Sequence, residues 1–146
     1  MTTIAYKNGI IAYDSRQTRN DTIVDDDREK KIVRDGVVFI FCGTPAEFDD
    51  LIAEYFGNSS RDEYNSHGIV FDKGKLYHFS KTKDDGLCKH PLDPMKQFAI
   101  GSGEDHAWTA MDCGLCAIDA IEKAKLRDTG TGGKVRSYSI TPMIDG

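Results

Sequence analysis

The chain is predicted to fold as an α+β sandwich, two antiparallel sheets held between helical layers. Three observations predict it. Ile10 to Tyr13 and Val37 to Phe41 are apolar runs of strand length with no polar alternation, as expected of strands buried on both faces. Each follows a two-residue Asn-Gly or Asp-Gly turn, the strongest short-range signal for an antiparallel hairpin. The order along the chain is strands, helix, strands, helices, strand, which supplies a helical cover for each sheet.

Taken in order, Thr3 to Lys7 reads as a strand, Asn8-Gly9 as its turn and Ile10 to Tyr13 as the returning strand. A polar stretch from Asp14 to Lys30 follows. Ile32-Val33, the turn at Asp35-Gly36 and Val37 to Phe41 make the next hairpin. Thr44-Pro45 then opens a helix, a capping residue ahead of proline in the first turn. Phe48, Leu51, Ile52 and Tyr55 give that helix one apolar face, and Gly57-Asn58 ends it. Gly68 to Asp72 and Lys75 to Phe79 are strands joined through Asp72-Lys73-Gly74, and Gln97 to Ile100 is a short strand running into Gly101-Ser102-Gly103. Glu104 to Asp112 is helical, Cys113-Gly114-Leu115 interrupts it, and Cys116 to Leu126 continues with Ile118, Ile121 and Leu126 inward. Val135 to Ile140 is the last strand. With no repeat, low-complexity tract or linker, residues 1–146 read as a single domain.

Composition limits the function classes. A chain of 146 residues suffices for one core, and no stretch approaches the roughly 18 apolar residues of a membrane span. The start, Met-Thr-Thr-Ile-Ala-Tyr-Lys, has neither the basic flank nor the apolar run of a signal peptide, so a cytoplasmic protein is expected. A formal charge of −5 with scattered Lys and Arg argues against a nucleic-acid partner, which needs a basic stripe. Asp25-Asp26-Asp27 reads as a solvated loop. Among the four cysteines, Cys113 and Cys116 have a CxxC spacing, with Cys88 and His90 the candidates to complete a zinc site. No second CxxC or HxxxH accompanies them, and small buried residues in a helical stretch are the preferred reading. No metal and no organic cofactor is expected.

Chemistry concentrates at strand ends. Thr2 follows the initiator methionine, and trimming of Met1 is expected to leave Thr2 with a free α-amine. A threonine hydroxyl is a weak nucleophile, but an N-terminal threonine carries its own base, since an α-amine titrates near 8. Further along stand Asp14-Ser15-Arg16-Gln17-Thr18, Lys30-Lys31-Ile32, Cys42-Gly43-Thr44, Gly101-Ser102-Gly103 and Arg127-Asp128-Thr129-Gly130-Thr131-Gly132-Gly133.

These segments, in this order and between these elements, resemble the proteasome β-subunit family, and most of all its bacterial HslV-type peptidases. The resemblance runs from Thr2 to about Ile140. It implies the four-layer αββα sandwich of the N-terminal nucleophile (Ntn) hydrolases and an N-terminal threonine endopeptidase. Carried over, Thr2 is the nucleophile and, through its amine, the base. Lys31 matches the buried lysine that lowers the amine pKa, Asp14 the carboxylate paired with that lysine, and Arg16 the basic position beside it. Gly43 matches the glycine whose N–H faces the oxyanion, with Cys42 in place of the usual alanine. Ser102, Asp128 and Thr131 match the group that holds the amine and a water. Phe41 and Pro45, on either side of the oxyanion segment, are candidates for a substrate pocket.

The same resemblance implies peptide or unfolded-protein substrates, a homo-oligomeric ring and an ATPase unfoldase as partner. The chain is shorter than the family pattern: Asn58-Ser59-Ser60 leads almost at once to Ser66-His67-Gly68, where the family carries a longer helical hairpin, and the helix pair after Gly103 is short. Two other readings stay open on this fold, a small-molecule amidohydrolase and a non-catalytic assembly subunit, because fold does not fix substrate.

Overall fold

Alternation of side chains in the strands and turn chemistry between them set the sheets. The structure, a computed structural model, describes residues 2–141. The strands are β1 (Thr3–Lys7), β2 (Ile10–Tyr13), β3 (Gln17–Arg19), β4 (Thr22–Asp25), β5 (Lys31–Arg34) and β6 (Val37–Cys42). After a 3₁₀ turn over Pro45–Glu47 come α1 (Phe48–Tyr55), β7 (His67–Asp72), β8 (Lys75–Thr82), β9 (Gly86–Pro91) and β10 (Phe98–Gly101). The chain ends with α2 (Glu104–Asp112), α3 (Ala117–Lys125) and β11 (Arg136–Ser139). It divides into two compact units, the first made of the segments before and after residues 31–92 and the second of residues 31–92. This is a mixed α/β protein with several antiparallel sheets, compatible with an α+β sandwich.

In the first unit the sheet order is β10-β1-β2-β11, all antiparallel. Register puts Ala5 between Ala12 and Ala99, so a row of small side chains crosses one face. Helices α2 and α3 lie close on that face, with Ala107, Met111, Ala117, Ala120, Ile121 and Ala124 in one buried cluster with the alanines. The opposite face carries Ile4, Tyr6, Ile11 and Tyr13, equally inaccessible. Both faces being covered, the apolar run Ile10 to Tyr13 needs no alternation. The hairpin β3–β4 lies within the polar stretch from Asp14 to Lys30. Its residues are mostly exposed, so no apolar period marks it.

In the second unit the order is β5-β6-β7-β8-β9. Phe39, Phe41, Val70 and Phe79 pack under Phe48, Leu51 and Ile52 of α1, the apolar face expected of that helix. Asn8, Asp35 and Lys73 open their hairpin turns at φ 51°, 52° and 51°, each followed by a glycine also at positive φ, the pairing that type I′ turns require. The short segment after α1 is closed by its own contacts. Tyr64 inserts into the α1 core and its hydroxyl donates to Glu54, which is also paired with Lys81 at 3.0 Å. Strand β9, Gly-Leu-Cys-Lys-His-Pro, has no apolar alternation because it is an exposed edge strand, closed by proline and held to β8 by its backbone.

Three expectations need correction. Ile118 is 38 % and Leu126 73 % exposed, because the buried stripe of α3 is Ala117, Ala120, Ile121 and Ala124 and both residues lie off it. Cys113 and Cys116 are exposed in the turn between α2 and α3, not buried within a helix, and the Cys116 thiol accepts the Asp119 N–H as the cap of α3. Thr44 opens a 3₁₀ turn instead of α1 itself, and its hydroxyl makes no cap bond. Ile121→Ala should therefore cost about 2–4 kcal/mol of stability, whereas Leu126→Ala should stay within about 0.5 kcal/mol. Urea unfolding compares them; equal losses would contradict the buried stripe.

Candidate active site

The end of β2 delivers a carboxylate into the interior of the first unit. Asp14 is fully buried, and each of its oxygens has two partners. Oδ1 accepts the Thr3 N–H at 3.1 Å and the Lys30 ammonium at 2.8 Å. Oδ2 accepts the Gly132 N–H at 2.9 Å and the Arg16 N–H at 3.3 Å. A buried charge is tolerated only when paired and hydrogen-bonded, and this one is both. Thr2, just before β1, is 5 % exposed, and its carbonyl accepts the Ser102 N–H at 3.1 Å.

The lysine of this pair is Lys30, 4 % exposed, and not the Lys31 expected from the resemblance. Neighbouring residues of an extended segment project to opposite sides, so only one of two adjacent lysines meets a given carboxylate. Lys31 instead opens β5, half-buried, in register with Ile40.

A second group forms around Asp128, from the loop after α3. Its Oδ2 accepts Ser102 Oγ and Thr131 Oγ1, both at 2.5 Å, and Oδ1 accepts the Gly130 N–H at 3.2 Å. Burial alone would raise this carboxyl, but the three donors outweigh it and hold its pKa below the usual carboxylate range. Since Thr131 gives its proton to Asp128, its oxygen is left to accept from Thr3 Oγ1 at 2.6 Å. Thr3 Oγ1 in turn accepts the Gly103 N–H at 2.9 Å. The structure thus brings Asp14, Ser102, Asp128 and Thr131 into two hydrogen-bonded groups that both end on the backbone or side chain of Thr3.

Arg16 ties these groups to the acidic run. Its Nε donates to Asp26 Oδ1 at 2.8 Å, Nη2 to Asp26 Oδ2 at 3.2 Å and Nη1 to the Thr129 carbonyl at 3.0 Å. Asp26 raises the basicity of Arg16 further. The guanidinium occupies the space a side chain at Gly132 would need, a Cβ there falling 2.3 Å from Cζ. Asp27 pairs with Arg136 at 2.8 Å. The acidic run is solvated, as expected, but two of its three carboxylates also hold arginines.

Gly43, Phe41 and Pro45 belong to the second unit. Gly43 stands at φ 125°, and a Cβ on it would fall 2.6 Å from both Cα and Oγ of Ser66. Phe41 lines no open surface. It is fully buried, its ring 5.4 Å from Phe48 and 5.6 Å from Phe39, because strand parity sends positions 39 and 41 to the α1 face. Pro45 is half-buried at the start of the 3₁₀ turn.

Sequence reasoning missed one cluster. Cys42 Sγ lies 3.4 Å from His67 Nε2, and His67 Nδ1 lies 2.9 Å from His78 Nε2. The three come from β6, β7 and β8, so only strand register assembles them and no local motif announces them. Burial lowers the His67 pKa; burial, with His67 and His90 nearby, pushes His78 down to about 4. Among the described residues no three His, Cys, Asp or Glu side chains group to hold a metal ion. No helix of them is long and apolar enough to cross a membrane. Met1 lies outside the described residues.

No family model and no curated protein matches the chain. Solved structures do. The chain is similar to Thiobacillus denitrificans BPH, with a TM-score of 0.71 and 17 % identity over 99 % of each chain. It is similar also to Thiobacillus denitrificans BPH in complex with epoxomicin, with a TM-score of 0.68 and 16 % identity over 98 % of this chain and 99 % of that one. At such identities the likeness is one of fold.

Two measurements test this geometry. Lys30→Met strands a buried carboxylate and should cost about 3 kcal/mol, while Lys31→Met should cost less than about 1 kcal/mol. Urea unfolding at neutral pH reads both, and equal effects would return the pair to Lys31. His78 has a folded pKa of about 4 against an ordinary 6.5, so the unfolded chain binds the extra proton first. Stability is full above about pH 6.5 and falls towards pH 4. His78→Gln should flatten the urea midpoint across that window; an unchanged slope would place the titration elsewhere.

Proposed function

We propose that the chain is an N-terminal threonine hydrolase that cleaves peptide bonds, with Thr2 as nucleophile once Met1 has been removed. The observation that carries this reading is Asp14 Oδ1, which joins a buried lysine to the backbone N–H of the residue next to Thr2. A cation held there disfavours a second positive charge, so the Thr2 α-amine is kept neutral and serves as base near pH 7. The fold it shares with Thiobacillus denitrificans BPH, solved with the proteasome inhibitor epoxomicin, supports the same reading.

In the proposed reaction the amine takes the Thr2 hydroxyl proton as Oγ1 attacks the substrate carbonyl. The oxyanion that forms requires a preorganised N–H donor. The amine passes its proton to the departing peptide amine, leaving an ester on Oγ1. Water, deprotonated by the same amine, then hydrolyses that ester and restores the hydroxyl. Lys30 replaces Lys31 in this scheme. Ser102, Asp128 and Thr131 fix the turn and loop against Thr3, and Asp128, kept ionised, favours a protonated amine at the moment it carries the proton. Peptide or unfolded protein as substrate, a homo-oligomeric ring enclosing the threonines and an unfoldase partner belong to the same proposal.

Removing the nucleophile of a covalent hydrolase costs orders of magnitude, and Thr2→Ala should lower peptide turnover by at least about 10³-fold with folding retained. The assay uses a fluorogenic peptide and protein whose intact mass shows Met1 gone. Epoxomicin should label the N-terminal peptide of the wild type and not of the variant. Equal turnover by Thr2→Ala would end the peptidase reading; turnover of small amides alone would redirect it to an amidohydrolase.

A further inference from the structure

Lys30 is buried, yet residues 26–29, which deliver it, form no strand or helix, and Asp27 and Glu29 are exposed. A lysine reaches its partner on a flexible four-carbon stem, so its charge stays in place only if the backbone carrying it is held. Arg136 of β11 does the holding. Register sets it opposite Tyr13, the residue before Asp14, on the neighbouring strand. Its Nη1 donates to Ser15 Oγ at 2.5 Å and to the Arg28 carbonyl at 3.2 Å. Its Nη2 donates to Asp27 Oδ1 at 2.8 Å and to the Asp27 carbonyl at 3.3 Å. Its Nε faces Glu29 Oε2 at 3.4 Å. Glu29 Oε1 accepts the Tyr13 hydroxyl at 2.5 Å, and the Arg28 N–H donates to the Ser15 carbonyl at 3.0 Å.

We infer that Arg136 is a positioning residue for Lys30, an inference that rests on the reading of Thr2 as nucleophile and base. Every residue involved lies in the first unit, where Asp14 joins Lys30 to the Thr3 N–H. All three guanidinium nitrogens engage residues 27–29 or Ser15, a planar fork that lysine, a single point of charge, does not offer. As an ion pair the contact is weak, since the Asp27 side chain is 75 % exposed. What the fork supplies is one path for residues that no ladder fixes, ending at Lys30. With that path loosened, the ammonium spends part of its time away from Asp14. The Thr2 amine then loses a neighbouring cation and meets a less compensated carboxylate, and both changes favour its protonated form. The other charged groups about Thr2 and Thr3 are Asp128, from the loop after α3, which favours the protonated amine, and Arg16, paired with Asp26 near Lys125, which opposes it.

The experiment compares Arg136→Ala, Arg136→Lys and Tyr13→Phe with the wild type, all free of Met1. The kcat/KM of a fluorogenic peptide is followed against pH, and its acidic limb reports the base of the free enzyme. A second readout needs no substrate: cyanate carbamylates the neutral amine alone, and the mass of the N-terminal peptide gives that rate at each pH. Arg136→Ala should move both midpoints up by about 1 pH unit, an about 10-fold slower rate on the acidic limb, with the alkaline plateau within about twofold of wild type. Arg136→Lys keeps the charge without the fork and should move the midpoints almost as far; wild-type midpoints there would assign the effect to charge and overturn the inference. Tyr13→Phe changes no charge, releases Glu29 from one partner and should give a smaller shift in the same direction, which carries the test if Arg136→Ala does not fold. Unshifted midpoints in the folded variants, or a loss of rate equal at every pH, would overturn the inference with the peptidase reading intact. A processed wild type that turns over no peptide at any pH overturns that reading, and this role for Arg136 with it.

Discussion

The first unit depends on one buried anion. Asp14 sits at the end of β2 with no solvent to share its charge, and its two oxygens are taken up by groups from four places: β1, the segment before β3, the lysine before β5 and the glycine loop before β11. Losing any one donor leaves the others to carry a full charge in a medium that solvates it poorly. The same constraint orders the surroundings of Thr3. The Lys30 ammonium shares Asp14 Oδ1 with the Thr3 N–H, and the loop bearing Asp128 and Thr131 is held through Gly132.

Around that anion the support is layered by cost. The Asp14–Lys30 pair is buried, where desolvation makes an unpaired partner expensive. The Arg16–Asp26 pair is partly exposed, 20 % and 44 %, where ion pairs contribute little to stability. Arg16 therefore acts through placement: its guanidinium fills the gap at Gly132 and holds the Thr129 carbonyl, bracing the loop. The second unit solves a similar problem with carboxylates on and beside α1. Glu54 secures Lys81 and Tyr64, and Glu47 secures Ser66, so the short segment after α1 is tied down by its own contacts.

Much of the site was legible because its pieces sit in short motifs at strand ends. The resemblance carried by those motifs points to Asp14, Ser102, Asp128 and Thr131, and the structure gathers them around Thr3. The choice between Lys30 and Lys31 was not legible, since both are lysines of one dipeptide and only the side of the chain they leave from differs. Phe41 read as a pocket residue from its nearness in sequence to Gly43; parity, which alternates sides at every residue, turned it into the α1 core. Cys42, His67 and His78 had no motif at all, being adjacent only across three strands.

By itself the sequence determined the elements whose cause is local. Turns need residues that tolerate positive φ, and Asn8, Asp35 and their glycines declare it. Doubly buried strands need unbroken apolar runs, and helix α1 needs a stripe at its own period. Only the tertiary structure decided what depends on register and direction. It recruited β3, β4 and β9 through backbone bonds that leave no apolar signature, and it chose an alanine stripe over Ile118 and Leu126 as the inner face of α3 because alanines let the helices approach the Ala5, Ala12 and Ala99 row. It chose Lys30 for the same kind of reason: a buried carboxylate binds the cation that projects towards it, and projection is a property of the folded path.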